Sequence, residues 1–368
     1  MKWMLCGTKQ KSWNNIVMAA KTSTEEFQYH LPVELIAQHP LECRDASRMM
    51  VLHRNKNEFE NRVFGDLPDF LVEGDCLVIN NSKVIPAKLL GTKPTGGKVE
   101  ILLLKENSNE RSPDGHMWEV LLKPAKRVYP GLSLSFGADG EAVVVERVSD
   151  KKWVLRFSTS PGFDEFLERH GRMPLPPYIR RKDGEAEPSD RVRYQTVYAR
   201  VPGSVAAPTA GLHFSPEMLG RLKDRGIKIA SVTLHVGYGT FLPVDAPFIE
   251  DHSMDEEYFE LGEDDASIIN GADRVIAVGT TSTRVLETVS DEKGLVKSGS
   301  GFTSLYIYPG YRFKRTDALL TNFHLPRSSL FILVSAFAGK ELIRRAYAGA
   351  LEERYRFYSY GDCMLIVG

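Results

Sequence analysis

A chain of 368 residues that is 42% hydrophobic and 26% charged is long enough for two domains with a sizeable core, and excludes a mostly disordered protein. Its formal net charge of −1 excludes a bulk attraction to polyanions, so any nucleic-acid site must be a local patch. Cys6, Cys43, Cys76 and Cys363 lie far apart with no Cys-x-x-Cys pair and read as reduced thiols of a cytosolic protein.

Residues 1–17 carry neither periodicity nor the apolar stretch of a signal peptide. They are expected to form a disordered extension, with Met18 as the alternative start. LPVELIAQHPLECRDASRMMVLHR (31–54) reads as a short helix, a proline-ended connection rich in arginine and aspartate, and a strand. From Cys76 to Ser158 short apolar alternations recur (CLVIN, IPAKLLG, KVEILLLK, MWEVLLK, LSLSFG, EAVVVERV, KWVLRF) between turn residues. Many short strands at near-regular spacing predict a small antiparallel barrel. GFDEFLERHG (162–171) then reads as a helix closed by Gly171.

Beyond residue 215 helix and strand patterns alternate. SPEMLGRLKDRG is a helix, IKIASVTLHVG a strand, DDASIINGA a helix and RVIAVG a strand. TSTRVLETVS and RSSLFILVSAFAG follow as helices around the strand-like TSLYIYPG. This alternation predicts a layered α/β main domain, spanning 18–81 and 161–368, with the β-barrel inserted at 82–160. The longest apolar run, LFILVSAFAG (330–339), is about half of what a membrane span needs.

Five stretches carry candidate chemistry. GSVAAPTAGLHF (203–214) offers a floor of small residues, a permissive Gly211 and His213 at its edge; a tightly packed loop with a satisfied histidine is the plain alternative. In SVTLHVGYGTFLPV (231–244), strand alternation puts Val232, Leu234 and Val236 on one face and Thr233 and His235 on the other. That strand ends in Gly237-Tyr238-Gly239, and ligands of α/β sheets gather beyond the carboxyl ends of strands. EDHSMDEEYFEL (250–261) mixes His252 with carboxylates; its dispersed histidines lack metal-ligand spacing, so no metal is expected, and most of its acids read as a solvated face. RVIAVGTTSTRVLE (274–287) runs from a strand through Gly279, Thr280, Thr281, Ser282 and Thr283 to Arg284. Such a helix start can hold a carboxylate or phosphate, or one hydroxyl merely caps it. LLTNFHLPRSSLFIL (319–333) repeats the design with Asn322, His324 and Arg327, and capping explains its serines alone. Basic and aromatic residues also interleave in PPYIRR with DRVRYQTVYAR, in LYIYPGYRFK and in RYRFYSYGD, as suits single-stranded RNA.

Eleven strings, among them VINNSKVIPAKLLG, RYQTVYA, GSVAAPTAGLHF, LHVGYGTFLPV, YIYPGYRFK, LLTNFHLPRSSLFILVSAFAG and YRFYSYGD, resemble those of the S-adenosylmethionine:tRNA ribosyltransferase-isomerase family, in collinear order over about residues 27–366. The resemblance implies a two-domain cytoplasmic enzyme of queuosine biosynthesis. It would transfer and isomerise the ribosyl unit of S-adenosylmethionine, a consumed cosubstrate, onto 7-aminomethyl-7-deazaguanine at the tRNA wobble position. Epoxyqueuosine-tRNA forms while adenine and methionine leave.

A sulfonium acidifies the neighbouring C5′ hydrogens, adenine departs protonated, and the attacking amine must be deprotonated. His213, His235, His252 and His324 are the pool for these transfers, with Glu257 or Asp362 as carboxylate partner. Thr209, Gly211, Gly237, Tyr238 and Gly239 are the expected cosubstrate contacts, the Tyr238 ring facing the sulfonium. The turns Gly279–Thr280–Thr281–Ser282–Arg284 and Asn322–Arg327 are expected to take the methionine carboxylate or an anticodon phosphate. Arg180, Arg181, Arg193, Tyr194, Arg356 and Tyr358 are the expected RNA contacts, and a monomer is expected.

Two positions depart from the family. Asp255 stands where the pattern H-x-M-H-x-E has its second histidine, and Leu242 where a polar residue is frequent. A non-catalytic tRNA-binding protein and an unrelated phosphate-binding or metal-dependent hydrolase are the other classes open to the sequence.

Overall fold

The computed structural model describes residues 21–107, 115–160, 162–182 and 187–368. The extension expected at 1–17 lies outside them. The chain opens with β1 (Arg48–His53), β2 (Glu58–Val63), β3 (Asp75–Asn80) and β4 (Ser82–Val84). Next come β5 (Lys88–Thr92), β6 (Lys98–Glu106), β7 (His116–Lys123), β8 (Ser133–Ser135), β9 (Gly140–Arg147) and β10 (Lys152–Thr159). These six close into a barrel in the order β10-β7-β6-β5-β8-β9, as the sequence predicts. Period-two alternation builds it: in β6 Val99, Ile101 and Leu103 are fully buried while Glu100 and Leu102 are half-exposed. Helix α1 (Phe163–His170) lays Phe163, Phe166 and Leu167 into the barrel core and ends where Gly171 N–H donates to the Leu167 carbonyl at 2.8 Å.

After the short α2 (Asp190–Arg193) and β11 (Val201–Ser204), the chain alternates through α3 (Pro216–Asp224), β12 (Lys228–Leu234), β13 (Glu257–Leu261), α4 (Glu263–Asn270), β14 (Arg274–Val278) and α5 (Gly279–Val289). It finishes with β15 (Gly299–Thr303), β16 (Ala318–Asn322), α6 (Ser329–Ala338), α7 (Lys340–Glu352) and β17 (Cys363–Val367). The large sheet has nine strands in the order β15-β13-β12-β3-β14-β16-β17-β1-β2. Consecutive residues of β3 serve opposite faces: Cys76 and Val78 join the core that packs α4 to α7, and Leu77 and Ile79 join the core that packs α3. A strand covered on both sides reads as an unbroken apolar run, which is what DCLVIN shows.

TSLYIYPG is a correction. Only Thr303 of it belongs to a strand. Leu305 gives its N–H to Thr303 Oγ1 (3.2 Å) and its carbonyl accepts from Arg284 Nε (3.0 Å), so side chains take the bonds that a neighbouring strand would need.

One edge of the sheet matters most. Strands β12, β3, β14 and β16 are parallel, so their carboxyl ends meet there. β17 runs antiparallel to β16 and parallel to β1, bringing Cys363 and Met49 beside Asn322. The loops carrying most of the singled-out residues leave from this edge.

Candidate active site

Beyond the carboxyl edge lies a small cleft of about 50 Å³ that opens to solvent. Thr209, Asn322, His324 and Tyr358 line it together with Tyr178, Ala206, Val236, Thr240, Phe241 and Ser359. Five segments far apart in sequence therefore converge on one space. Tyr178, Phe241 and Ser359 escaped the sequence reading. Their rings and hydroxyls form a wall: Tyr178 packs on Tyr358 (ring centroids 4.6 Å) and on Phe241 (6.0 Å), and its OH meets Ser359 Oγ at 2.7 Å. Each nonetheless sits in a stretch that carries a signal: Tyr178 in PPYIRR, Phe241 in SVTLHVGYGTFLPV and Ser359 in RYRFYSYGD.

Asn322 holds the floor. Its amide Nδ2 donates toward the carbonyls of Tyr358 (3.2 Å) and Asp362 (3.4 Å) and toward His213 Nε2 (3.2 Å). Its Oδ1 is buried without a protein partner, and a buried acceptor left open is costly unless something fills it. His213 Nδ1 lies 2.7 Å from Ser47 Oγ, and the ring packs on Phe64. Burial, with the charges of Arg356 and Arg44, pushes the His213 pKa down to about 3. Burial alone does the same to His324, whose Nε2 meets Thr321 Oγ1 at 2.9 Å. Both imidazoles are thus neutral at pH 7, hydrogen-bonding groups rather than cationic acids.

His235 and His252 differ in reaching solvent. His235 Nδ1 sits 2.8 Å from Ser82 Oγ, which in turn meets Ser204 Oγ at 2.6 Å, and the ring stacks on Tyr258. Val232, Leu234 and Val236 are buried on the other face, as alternation predicts, so His235 stands beside the cleft rather than in its lining. Burial lowers its pKa, with Glu260 opposing. His252 is half-buried, edge-on to Tyr306 at 5.0 Å, and burial lowers its pKa against Asp255 and Asp245. The Tyr306 hydroxyl beside it is buried without a partner.

Several expected residues turn out to serve the framework. Glu257 and Arg284, placed as a carboxylate partner and an anion binder, ion-pair with each other while about 5% exposed. Glu257 Oε1 accepts the Gly237 N–H at 2.7 Å, so the pair pins the Gly237–Gly239 loop. Both oxygens of Asp362 accept backbone N–H groups, from Arg48 (3.0 Å) and Arg356 (2.8 Å); burial raises its pKa against those interactions. In the first turn of α5 Ser282 Oγ and Thr283 Oγ1 bond back to the carbonyls of Val278 (2.9 Å) and Gly279 (3.2 Å). Thr280 and Thr281 are buried there, and Thr281 Oγ1 has no protein partner. Gly279, at φ 89°, faces the 203–214 loop: a Cβ added there would lie 3.5 Å from the Ala210 side chain. Arg327 pairs with Glu25 at 2.9 Å.

Gly211 has no room for a side chain: a Cβ would lie 2.0 Å from the Tyr198 hydroxyl. Tyr238 is half-buried and packs on both the barrel core and the main core. Gly239 approaches Asp255, whose carboxylate lies 3.7 Å from Lys152 Nζ of barrel strand β10. The aspartate that replaces the expected histidine therefore ties the barrel to the main sheet. Leu242, the other departure, is exposed.

Of the expected RNA contacts, two are corrected. Tyr194 is fully buried, and the Arg181 side chain is 3% exposed in a two-pronged bond to Asp190 (2.8 and 2.9 Å). Neither presents a surface to RNA. Arg180 is exposed, Arg193 and Arg356 are half-exposed, and Tyr358 faces the cleft. Among the described residues no helix is long and apolar enough to cross a membrane, and no group of three or more His, Cys, Asp or Glu side chains is placed to hold a metal ion.

Comparison with known proteins matches residues 24–366 to a family described as Queuosine biosynthesis protein. An S-adenosylmethionine:tRNA ribosyltransferase-isomerase of Syntrophus aciditrophicus is 54% identical over 358 residues, covering 93% of this chain and 99% of its own. One of Natranaerobius thermophilus is 52% identical over 350 residues, covering 93% and 98%. A crystal structure titled S-adenosylmethionine tRNA ribosyltransferase, from Thermotoga maritima, aligns at a TM-score of 0.51 and 38% identity over 93% of this chain and 100% of that one.

Proposed function

The chain belongs to the queuosine biosynthesis protein family, and on that premise we infer that it transfers and isomerises the ribosyl moiety of S-adenosylmethionine onto tRNA. The acceptor that the resemblance names is 7-aminomethyl-7-deazaguanine at the wobble position, with adenine and methionine released. The convergence of five segments on the cleft floored by Asn322 carries the placement of the cosubstrate. Asn322 Oδ1 is an acceptor awaiting a donor, and S-adenosylmethionine brings several: its ammonium, its adenine amino group and its two ribose hydroxyls. The Tyr178, Tyr358 and Phe241 rings line that space and suit a flat base or a sulfonium.

The four histidines divide into two pairs. His213 and His324, neutral and bonded, orient the floor. His235 and His252, nearer solvent and free at one ring nitrogen or both, are the proton carriers of this reading: one takes the acidified C5′ proton, and one serves the departing adenine or the attacking amine. Glu257, Arg284 and Asp362 hold loops in place instead of meeting substrate. The protein works as a cytoplasmic monomer in this account.

Filling the cleft tests the placement. Thr240 lines it and is half-exposed, so Thr240→Trp blocks the space with little cost to the core. Calorimetric titration is expected to show S-adenosylmethionine affinity at least about tenfold weaker, a loss of roughly 1.4 kcal/mol, with an unchanged melting temperature. Unchanged affinity would move the cosubstrate elsewhere.

A further inference from the structure

Among the described residues, three arginines beside the cleft have no carboxylate bonded to their guanidinium groups. Arg44 precedes β1, Arg193 ends α2 and Arg356 precedes β17, and each is half-buried. Arg44 gives its guanidinium N–H groups to the carbonyls of Leu212 (2.9 Å), Gln195 (3.0 Å) and Val192 (3.2 Å). Arg193 donates to the carbonyls of Leu41 and Glu42, and Arg356 to that of His39. Among the described residues none of the three forms an ion pair, in contrast to Arg181 with Asp190, Arg274 with Asp75 and Arg284 with Glu257.

The acids nearby are already committed. Asp362 gives both oxygens to backbone N–H groups and acts on Arg356 only through space, Asp190 is held by Arg181, and Glu187 lies between Arg181 and His39. Carbonyl oxygens satisfy N–H groups but leave the net charge, and half-buried charge without a counter-ion is expensive. Two N–H groups are also left over: Arg193 Nε and Arg356 Nη1 are buried with no partner. Arg44 and Arg193 line one shallow cleft with Ser47 and His213, and Arg356 lies close enough that its charge, like that of Arg44, bears on His213.

We propose that Arg44, Arg193 and Arg356 form an oxyanion cradle that holds one phosphate of the tRNA backbone next to the active site. This rests on the reading above that the chain acts on tRNA. The same chemistry would take the methionine carboxylate of S-adenosylmethionine, and the arms of the test separate the two. Arg44 staples three segments through their carbonyls, so the informative substitutions are Arg193→Gln and Arg356→Gln, with Arg193→Lys keeping the charge.

Binding of an anticodon stem-loop is measured across a salt series, S-adenosylmethionine by calorimetry, and inorganic phosphate by its competition with the stem-loop and by direct titration. Each glutamine variant is expected to bind the stem-loop about tenfold more weakly, with a salt slope smaller by about one. S-adenosylmethionine affinity stays within about twofold of wild type, while Arg193→Lys recovers most of the stem-loop affinity. Loss of S-adenosylmethionine affinity with stem-loop affinity intact would overturn the phosphate assignment in favour of the carboxylate. Unchanged binding of all three probes in both glutamine variants would overturn the cradle. A wild-type chain that binds phosphate at these arginines but no stem-loop would overturn the tRNA reading and leave the oxyanion site standing.

Discussion

Glu257→Ala is expected to lower the unfolding free energy by about 3–5 kcal/mol, the range for breaking a buried ion pair from one side. The carboxylate and the Arg284 guanidinium are each about 5% exposed. Removing the carboxylate leaves the cation with only the carbonyls of Leu305 (3.0 Å) and Thr303 (3.3 Å), and leaves the Gly237 N–H without its acceptor. Urea denaturation gives the number. Glu257→Gln should cost less, because an amide oxygen can still take the Gly237 N–H. The double variant Glu257→Leu with Arg284→Met should be more stable than Glu257→Ala, since it removes the orphaned charge as well. A Glu257→Ala protein as stable as wild type, yet inactive, would return Glu257 to the chemistry and contradict the structural role assigned to it.

His235→Ala is expected to lower turnover by about a hundredfold or more while the protein stays folded. Two hydroxyls fix the ring from below: Ser82 Oγ contacts Nδ1 and is itself tied to Ser204. Tyr258 stacks on it from the side. The space at Nε2 is reserved by Gly203, at φ 146°, where a Cβ would lie 2.5 Å from that nitrogen. Gly203→Ala therefore displaces the ring without deleting it and should reproduce much of the loss, whereas a merely space-filling histidine would tolerate His235→Ala. Full activity in His235→Ala would end the proposal that it carries a proton. An unfolded variant would make it a core residue.

These two residues show what the sequence could and could not reveal. Local patterning made His235 legible: alternation in SVTLHVG sets it opposite Val232, Leu234 and Val236, and the Gly-Tyr-Gly that follows marks a strand end. The same reasoning found the barrel, because strands such as β6 and β7 alternate along most of their length, and found α1, because Gly171 closes it. The ion pair of Glu257 with Arg284 was not legible because EDHSMDEEYFEL is so acidic that β13 inside it is hidden. Only the pairing with β12 and β15 turns Glu257, Phe259 and Leu261 inward. The Asp362 clamp and the Asn322–His213–Ser47 chain were equally out of reach. Each joins residues far apart in the chain through a sheet edge whose strand order no local period encodes. Tyr194 and Arg181 were placed on a surface by composition alone, and composition does not distinguish an exposed basic strip from one that folds back on Asp190.

The central claim is that this chain uses S-adenosylmethionine as a ribosyl donor to tRNA. Purified protein incubated with S-adenosylmethionine and an anticodon stem-loop carrying 7-aminomethyl-7-deazaguanine tests it directly, by following adenine release and the mass of the RNA. The expected result is adenine released in step with an RNA mass gain equal to the transferred ribosyl unit. Stem-loop binding without adenine release or mass gain would contradict the account and leave a tRNA-binding protein in its place.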